Sequence, residues 1–236
     1  MKILTLIAGV SALLLLLLAG PLYQAGILGL MNAFFAMRIA LIVGAVAIVL
    51  ALIQVIFMRK TISWPVTGVA VLCAAVAIVA PLGMMNKAKS VPPIHDITTD
   101  LVNPPKFVAI LALRADAPNP AEYQGEEIAS QQRKAYPELQ TQKYQKTAAQ
   151  VFDAALAAVK GMGLEVVNSD KTLGLIEAYD TTTFFGFVDD VVIRIQNDGQ
   201  MTLLDARSKS RIGKSDIGKN AERLNALIAG VAKNLN

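Results

Sequence analysis

The pattern of apolar and polar positions divides the chain near residue 85. Up to Met85 the only charged side chains are Lys2, Arg38, Arg59 and Lys60, with no Asp or Glu among them. Three apolar runs fill this stretch. Ile3–Ala19 holds six consecutive leucines, Leu13 to Leu18. Ile39–Met58 is interrupted only by Gln54 and closed by Arg59-Lys60. Val66–Met85 opens after Trp64 and closes on Asn86, Lys87 and Lys89. Runs of about 17 to 20 such residues are long enough to cross a bilayer as helices. Pro21 to Met37 is short, apolar and glycine-punctuated, and is expected to lie along the membrane surface with Tyr23, Phe34 and Phe35 at headgroup depth.

Beyond residue 86 the pattern is that of a folded polar-surfaced domain. Pro92-Pro93 and Pro104-Pro105 favour extended chain. Phe107 to Leu113 reads as a short strand, and Ala117 to Tyr136 as a polar surface excursion with a short helix near Glu126 to Lys134. Thr147-x-x-Gln150 has the form of a capping box, followed by an apolar face of Val151, Phe152, Ala155, Leu156 and Val159 that Gly161 and Gly163 terminate. Leu164 to Val167 and Leu173 to Thr181 read as strands. Val188 to Gln196 and Met201 to Ser210 alternate about Asp198-Gly199, a hairpin signature. A two-residue loop there sets Ile195 against Thr202, Ile193 against Leu204, Val191 against Ala206 and Asp190 against Arg207. The last helix runs from about Asp216 to Leu235, capped by Ser215 or Asp216, with a stripe of Ile217, Ala221, Leu224, Ile228, Val231 and Leu235.

The expected architecture is α+β: three transmembrane helices, then a soluble domain with an antiparallel sheet packed by two helices, a helix-grip-like arrangement. Its divisions are an anchor at 1–85, an extended linker and polar excursion at 86–146, and the α+β core at 147–236. The sheet's second face carries Leu173, Leu175, Val192, Met201 and Leu203 among charges. It is expected to be covered, by Ala117 to Tyr136, or to bind something apolar.

Charge sharpens this picture. The net charge of +4 belongs to the apolar third, because residues 86–236 hold 18 basic and 18 acidic side chains. A neutral domain has no general attraction for a phosphate backbone, so nucleic-acid binding is excluded. Cys73 stands alone, which excludes an internal disulfide or a cysteine metal site. Arg59-Lys60 in a tight loop places that loop and the amino terminus inside, and three crossings then put the domain outside the cytoplasm. The rival reading of the first run, a signal peptide cleaved near Ala19-Gly20, leaves the domain on the same side. With no Asp, Glu or His in the spans to relay protons or bind ions, the helices read as anchors. The partners expected are the lipid bilayer and envelope proteins or lipids.

Two strings resemble one family. The first is Pro92-Pro93-Ile94-His95-Asp96-Ile97-Thr98-Thr99-Asp100 with Asn103-Pro104-Pro105-Lys106-Phe107-Val108. The second runs from Asp205-Ala206-Arg207-Ser208-Lys209-Ser210-Arg211 through Ile212-Gly213-Lys214-Ser215-Asp216 to Ala221. They are similar to the signatures of domain of unknown function 1499, and the three-helix anchor is similar to that of many bacterial members. The resemblance implies a shared fold and a setting in the bacterial inner membrane and envelope. It implies no activity. The arrangement also resembles helix-grip lipoprotein domains of the outer-membrane assembly machinery, at the level of fold alone.

Two groups of residues offer chemistry. His95, Asp96 and Asp100 are the right kinds of metal ligand, but neighbours in extended chain rarely converge on one ion, and structural hydrogen bonding is the simpler reading. Arg207, Ser208, Ser210, Arg211, Lys214, Ser215 and Asp216 run along a strand into a helix start, where cations and free amides can hold an anion or a partner. Asp189, Asp190, Asp205 and Asp216 can equally pair with those cations. A lone histidine some 110 residues before these serines does not support a serine hydrolase, and no Gly-rich phosphate loop or cofactor motif is present. The leading expectation is a non-catalytic binding or scaffold module on the membrane. The alternative is a small-molecule or anion-binding enzyme using Arg207 to Asp216 with His95.

Overall fold

The computed structural model describes residues 1–236 and separates into two compact units. One comprises Met1–Lys87 with Thr183–Gly186, and the other Ala88–Thr182 with Phe187–Asn236.

The first unit is built on three helices: α1 (Lys2–Gln24), α2 (Leu30–Phe57) and α3 (Trp64–Ser90). Each is long and apolar enough to cross a membrane. They run longer than the apolar runs alone suggest, and Pro21 to Met37 is not a separate surface segment. Pro21 lies inside α1 and Leu30–Met37 inside α2, leaving only 25–29 as a link, where Gly26 takes a positive φ and Gly29 caps α2. Buried positions alternate at spacings of four and three: Thr5, Gly9, Ala12, Leu16 and Ala19 in α1, for example, and Thr67, Ala70, Ala74, Ala77 and Pro81 in α3. Most are small, which lets backbones approach. A Cβ on Gly9 would run into the Ala70 carbonyl. The seam is not wholly apolar, because buried Gln54 donates to Thr5 Oγ1. Thr183–Gly186 belongs to this unit through Gln24, whose Nε2 donates to the Thr183 and Phe184 carbonyls, and through Phe185, whose ring lies 5.4 Å from that of Phe34.

The second unit is an antiparallel six-stranded sheet with helices. Its strands are β1 (Asp96–Thr98), β2 (Gln142–Tyr144), β3 (Glu165–Asp170), β4 (Leu175–Thr181), β5 (Val188–Asn197) and β6 (Thr202–Ser210). The order is β1-β6-β5-β4-β3, and β2 pairs with the other end of β6, so β1 and β2 share one edge of that strand. The helices are α4 (Glu126–Ala135), α5 (Ala148–Gly161) and α6 (Lys219–Leu235). α5 and α6 bury the core face, where Val151, Phe152, Leu224 and Leu227 join Ile176, Ile193 and Leu204. The Thr147 capping box forms, with Gln150 N donating to Thr147 Oγ1 and Thr147 N to Gln150 Oε1.

Three local expectations change. The β5–β6 loop has four residues, 198–201, because Asp198 Oδ1 accepts from both Gln200 N and Met201 N. The register therefore slides by two, placing Ile195 opposite Leu204, Ile193 opposite Ala206, and Asp190 opposite Lys209 rather than Arg207. Phe107 to Leu113 is not a strand. Glu177 takes the amides of Val108, Ala109 and Ile110 at 2.7, 2.8 and 3.3 Å, and this starts a 3-10 helix, Ala109–Arg114. α6 begins at Lys219, behind Gly218 in the left-handed region, with Asp216 accepting from Gly218 N and Asn220 N.

Candidate functional site

β5 and β6 alternate, so one set of side chains enters the core and the next points to the opposite face. On that opposite face β6 presents Asp205, Arg207 and Lys209, β5 presents Asp190, Val192 and Arg194, β4 presents Glu177, and β1 presents Asp96 and Thr98. Water does not cover this face. Residues 100–123 cross it as a strap, seating Phe107 and Ile110 on Val192. Most of the charges beneath are consequently buried, Asp96, Glu177, Asp190 and Lys209 completely.

Buried charge requires partners, and here the partners are arranged in three groups. Asp96 receives Arg207 through two bonds of 2.8 Å and Lys209 Nζ at 2.9 Å. Asp190 receives Arg211 at 2.7 Å and Arg114 at 3.2 Å. The remaining donors fasten the strap by its carbonyls: Arg207 to Pro105 and Ala121, Lys209 to Glu122, Arg211 to Leu113. Arg114 donates back to Asn119 and Pro120. The Phe107 ring sits 5.1 Å from the Arg114 guanidinium and 4.9 Å from that of Arg207. A third group at the far end joins Arg194 to Asp100 and Asp205, with Thr99 and Thr141 donating to Asp205.

The electrostatics follow from burial. Removal from water lowers the Lys209 ammonium's pKa, and the Asp96 carboxylate opposes that shift. Burial, with Asp96 nearby, pushes the Tyr123 phenol up to about 12. Burial lowers the His95 imidazole as well, Lys209 adds to the effect, and Asp96 partly offsets it.

The residues singled out from sequence are distributed over both faces. Arg207 and Arg211 belong to the charged layer under the strap. Ser208 and Ser210 point to the α6 side, where Ser208 donates to Asn220 Oδ1, Asn220 Nδ2 donates to Ser210 Oγ, and Arg223 joins Asp180 and Asp189. Lys214 is exposed in the turn before α6, Ser215 accepts from Ile217 N, and Asp216 caps the helix. Burial raises the Asp216 pKa, against the two amides it accepts. His95 is buried, with Nδ1 lacking a hydrogen-bond partner. Asp96 is occupied by two cations and Asp100 by Arg194, so these three side chains do not converge on an ion. Two shallow cavities, of about 360 and 260 Å³, flank Arg114. Arg211 lines the smaller, and His95 lines neither.

Sequence reasoning missed Arg114, Lys209 and Glu177. A signal for one of them exists: Asp205, Arg207, Lys209 and Arg211 recur every second residue, which lines one face of β6 with charge. Nothing local marks Glu177 or Arg114 as part of this layer, because the amides that Glu177 gathers and the carboxylate that Arg114 meets, Asp190, lie far away in sequence.

The fold and this layer define a class: an α+β domain carried by three apolar helices, with a charged sheet face sealed by a strap. The chain belongs to the family described as Protein of unknown function (DUF1499), whose model matches residues 96–231, more than half of its length. Comparison with curated proteins finds no match.

Proposed function

We propose that this chain is a membrane-anchored module of the bacterial envelope that binds or scaffolds a partner without catalysis, its domain held outside the cytoplasm. One observation carries the reading. The groups best suited to chemistry are engaged with one another: Arg207 is 2% exposed and chelated by Asp96, while Lys209 is fully buried on the same carboxylate. Groups held in this way shape a surface rather than meet a substrate. The helices supply the anchor, and Arg59-Lys60 supports the orientation.

Two experiments test it. A reporter fused after Asn236 is expected to be active outside the cytoplasm, and activity inside would overturn the placement. The triple variant Asp96→Leu/Arg207→Met/Lys209→Met removes the buried charges together. It is expected to keep the fold and to restore the envelope phenotype of a deletion strain. A folded triple variant that fails to restore would favour the second reading, a small-molecule or anion-binding enzyme. The observation on that side is the cavity lined by Arg114 and Arg211.

A further inference from the structure

Four residues of the β4–β5 loop, Thr183 to Gly186, belong to the helical unit although strands of the sheet flank them on both sides. From Thr181 to Val188 the chain carries no charged side chain and reads Thr-Thr-Thr-Phe-Phe-Gly-Phe-Val. The loop is closed at its base, where Thr182 N donates to Phe187 O and Phe187 N to Thr182 Oγ1, both at 2.8 Å. Its tip is seated on α1 and α2. Gln24 Nε2 donates to the Thr183 and Phe184 carbonyls at 2.8 and 2.9 Å, and a Cβ on Gly20 would run into the Phe184 carbonyl. Phe185 is 5% exposed, and its ring lies 6.0 Å from that of Tyr23, 5.4 Å from Phe34 and 5.0 Å from Phe184.

The helices set the depth of that seat. α2 has 28 residues and is about 42 Å long, against a hydrocarbon core of about 30 Å. Centred on the core, it leaves about 6 Å at each end among the headgroups. Phe34 comes about 6 Å after the helix start at Leu30, which brings its ring to the boundary between acyl chains and headgroups. Arg38, exposed one turn further in, reaches back to the phosphates from there. Gly20, Tyr23 and Gln24, in the last turns of α1, lie at the same level, because Phe185 touches both Tyr23 and Phe34. This boundary favours aromatic rings, and an uncharged tip whose carbonyls are already bonded enters it without stranding a polar group.

We infer that the tip of the β4–β5 loop, Thr183 to Gly186, is inserted in the interfacial zone of the bilayer, where Phe184 and Phe185 join Tyr23 and Phe34 in one aromatic belt. The chain thus meets lipid a second time, long after α3 has ended. The partner is the interfacial zone itself rather than a headgroup of particular charge, because the tip has no charge to pair with one. This adds a lipid contact to the function proposed above and rests on its membrane anchorage.

The test uses the full chain with Cys73→Ser, one copy per lipid nanodisc. A fluorophore is placed at Thr183→Cys, where the side chain is exposed, or at Ile42→Cys, exposed midway along α2. Quenching by lipid spin-labelled at the headgroup is compared with quenching by lipid spin-labelled midway down the acyl chain. At 183 the headgroup label is expected to quench about threefold more than the deep label, and at 42 the order is expected to reverse. The pattern at 183 is expected to be the same in anionic and uncharged discs. Gly20→Val fills the place of the Phe184 carbonyl, and Gln24→Leu removes its donor. Each is expected to release the tip and abolish lipid quenching at 183, with 42 unchanged. A label at 183 that is open to aqueous iodide and untouched by either lipid would overturn the inference. So would lipid quenching that persists in both variants, or that appears only in anionic discs. Slowed amide exchange in β5 confirms that each labelled chain is folded. Position 42 reports the anchorage separately: lipid quenching there without any at 183 sinks this inference alone, whereas none at 42 sinks the anchorage with it.

Discussion

On the side of the sheet covered by α5 and α6, Ile176, Val191, Ile193, Leu204 and Ala206 meet apolar helix faces. On the other side, the same strands present Glu177, Asp190, Arg207 and Lys209 to the strap, and these are as thoroughly excluded from water. The first face is stabilised by area removed from water, a term that tolerates approximate shape. The second depends on each charge having its partner, since removing one member strands the others in a medium that solvates them poorly. The contrast is between a surface that degrades gradually and one that fails when a single atom pair is lost.

The strongest way to break this comparison is Asp96→Ala. It leaves Arg207 and Lys209 buried without their carboxylate and is expected to cost about 3–5 kcal/mol, read from amide exchange of β5 in the full chain. The triple Asp96→Leu/Arg207→Met/Lys209→Met is expected to fall within about 1 kcal/mol of the parent, or above it. A triple as damaged as the single would mean that the charges stabilise the sheet in their own right. On the apolar face, Ile193→Ala is expected to cost about 3 kcal/mol, with no comparable rescue by a neighbouring change.

Smaller effects sharpen the picture. Glu177→Gln exchanges the carboxylate that gathers three strap amides for a neutral group. About 1–2 kcal/mol is expected, concentrated in faster exchange of Val108, Ala109 and Ile110 rather than of β5. Thr147→Ala removes one half of the α5 capping box at about 1 kcal/mol.

The smallest effect is in pH. Burial and Lys209 hold the folded-state pKa of His95 below its value in the unfolded chain. The unfolded chain then binds the proton more readily, so stability is complete above the unfolded value, ~6.5, and declines as pH falls toward the folded one. His95→Leu is expected to flatten that part of the profile. An unchanged slope would remove His95 as its source.

Much of the apolar face was legible because it is periodic. The α5 residues Val151, Phe152, Ala155 and Val159 and the α6 residues Ala221, Leu224 and Val231 follow helical spacing, and β5 and β6 alternate. Even the register error did little harm. A slip of two keeps every side chain on its own face, so Ile193 and Leu204 were placed in the core although their partners were misassigned. The strap was not legible. Phe107 to Leu113 has a strand's composition, and only Glu177, 67 to 69 residues away, turns its start into a helix. β1 and β2 are three residues each, too short to announce a period. Arg207 and Arg211 were recognised as cations in want of partners. That the partner of Arg207 is Asp96, 111 residues earlier, is a tertiary fact.

The position of β6 also sets a timetable. It is the common neighbour of β1, β2 and β5, and Lys209 closes on Asp96 across 113 residues of sequence. At about 5–20 residues per second, a ribosome that has just released β1 needs on the order of ten seconds to deliver the strand it pairs with. Throughout that interval the three apolar helices α1 to α3 are complete, while the proline-rich segment and its aliphatic run wait as nascent chain, without the β6 cations that will later tie them down. The newborn polypeptide is most open to proteases and to self-association in that window, and a chaperone would have most to protect then.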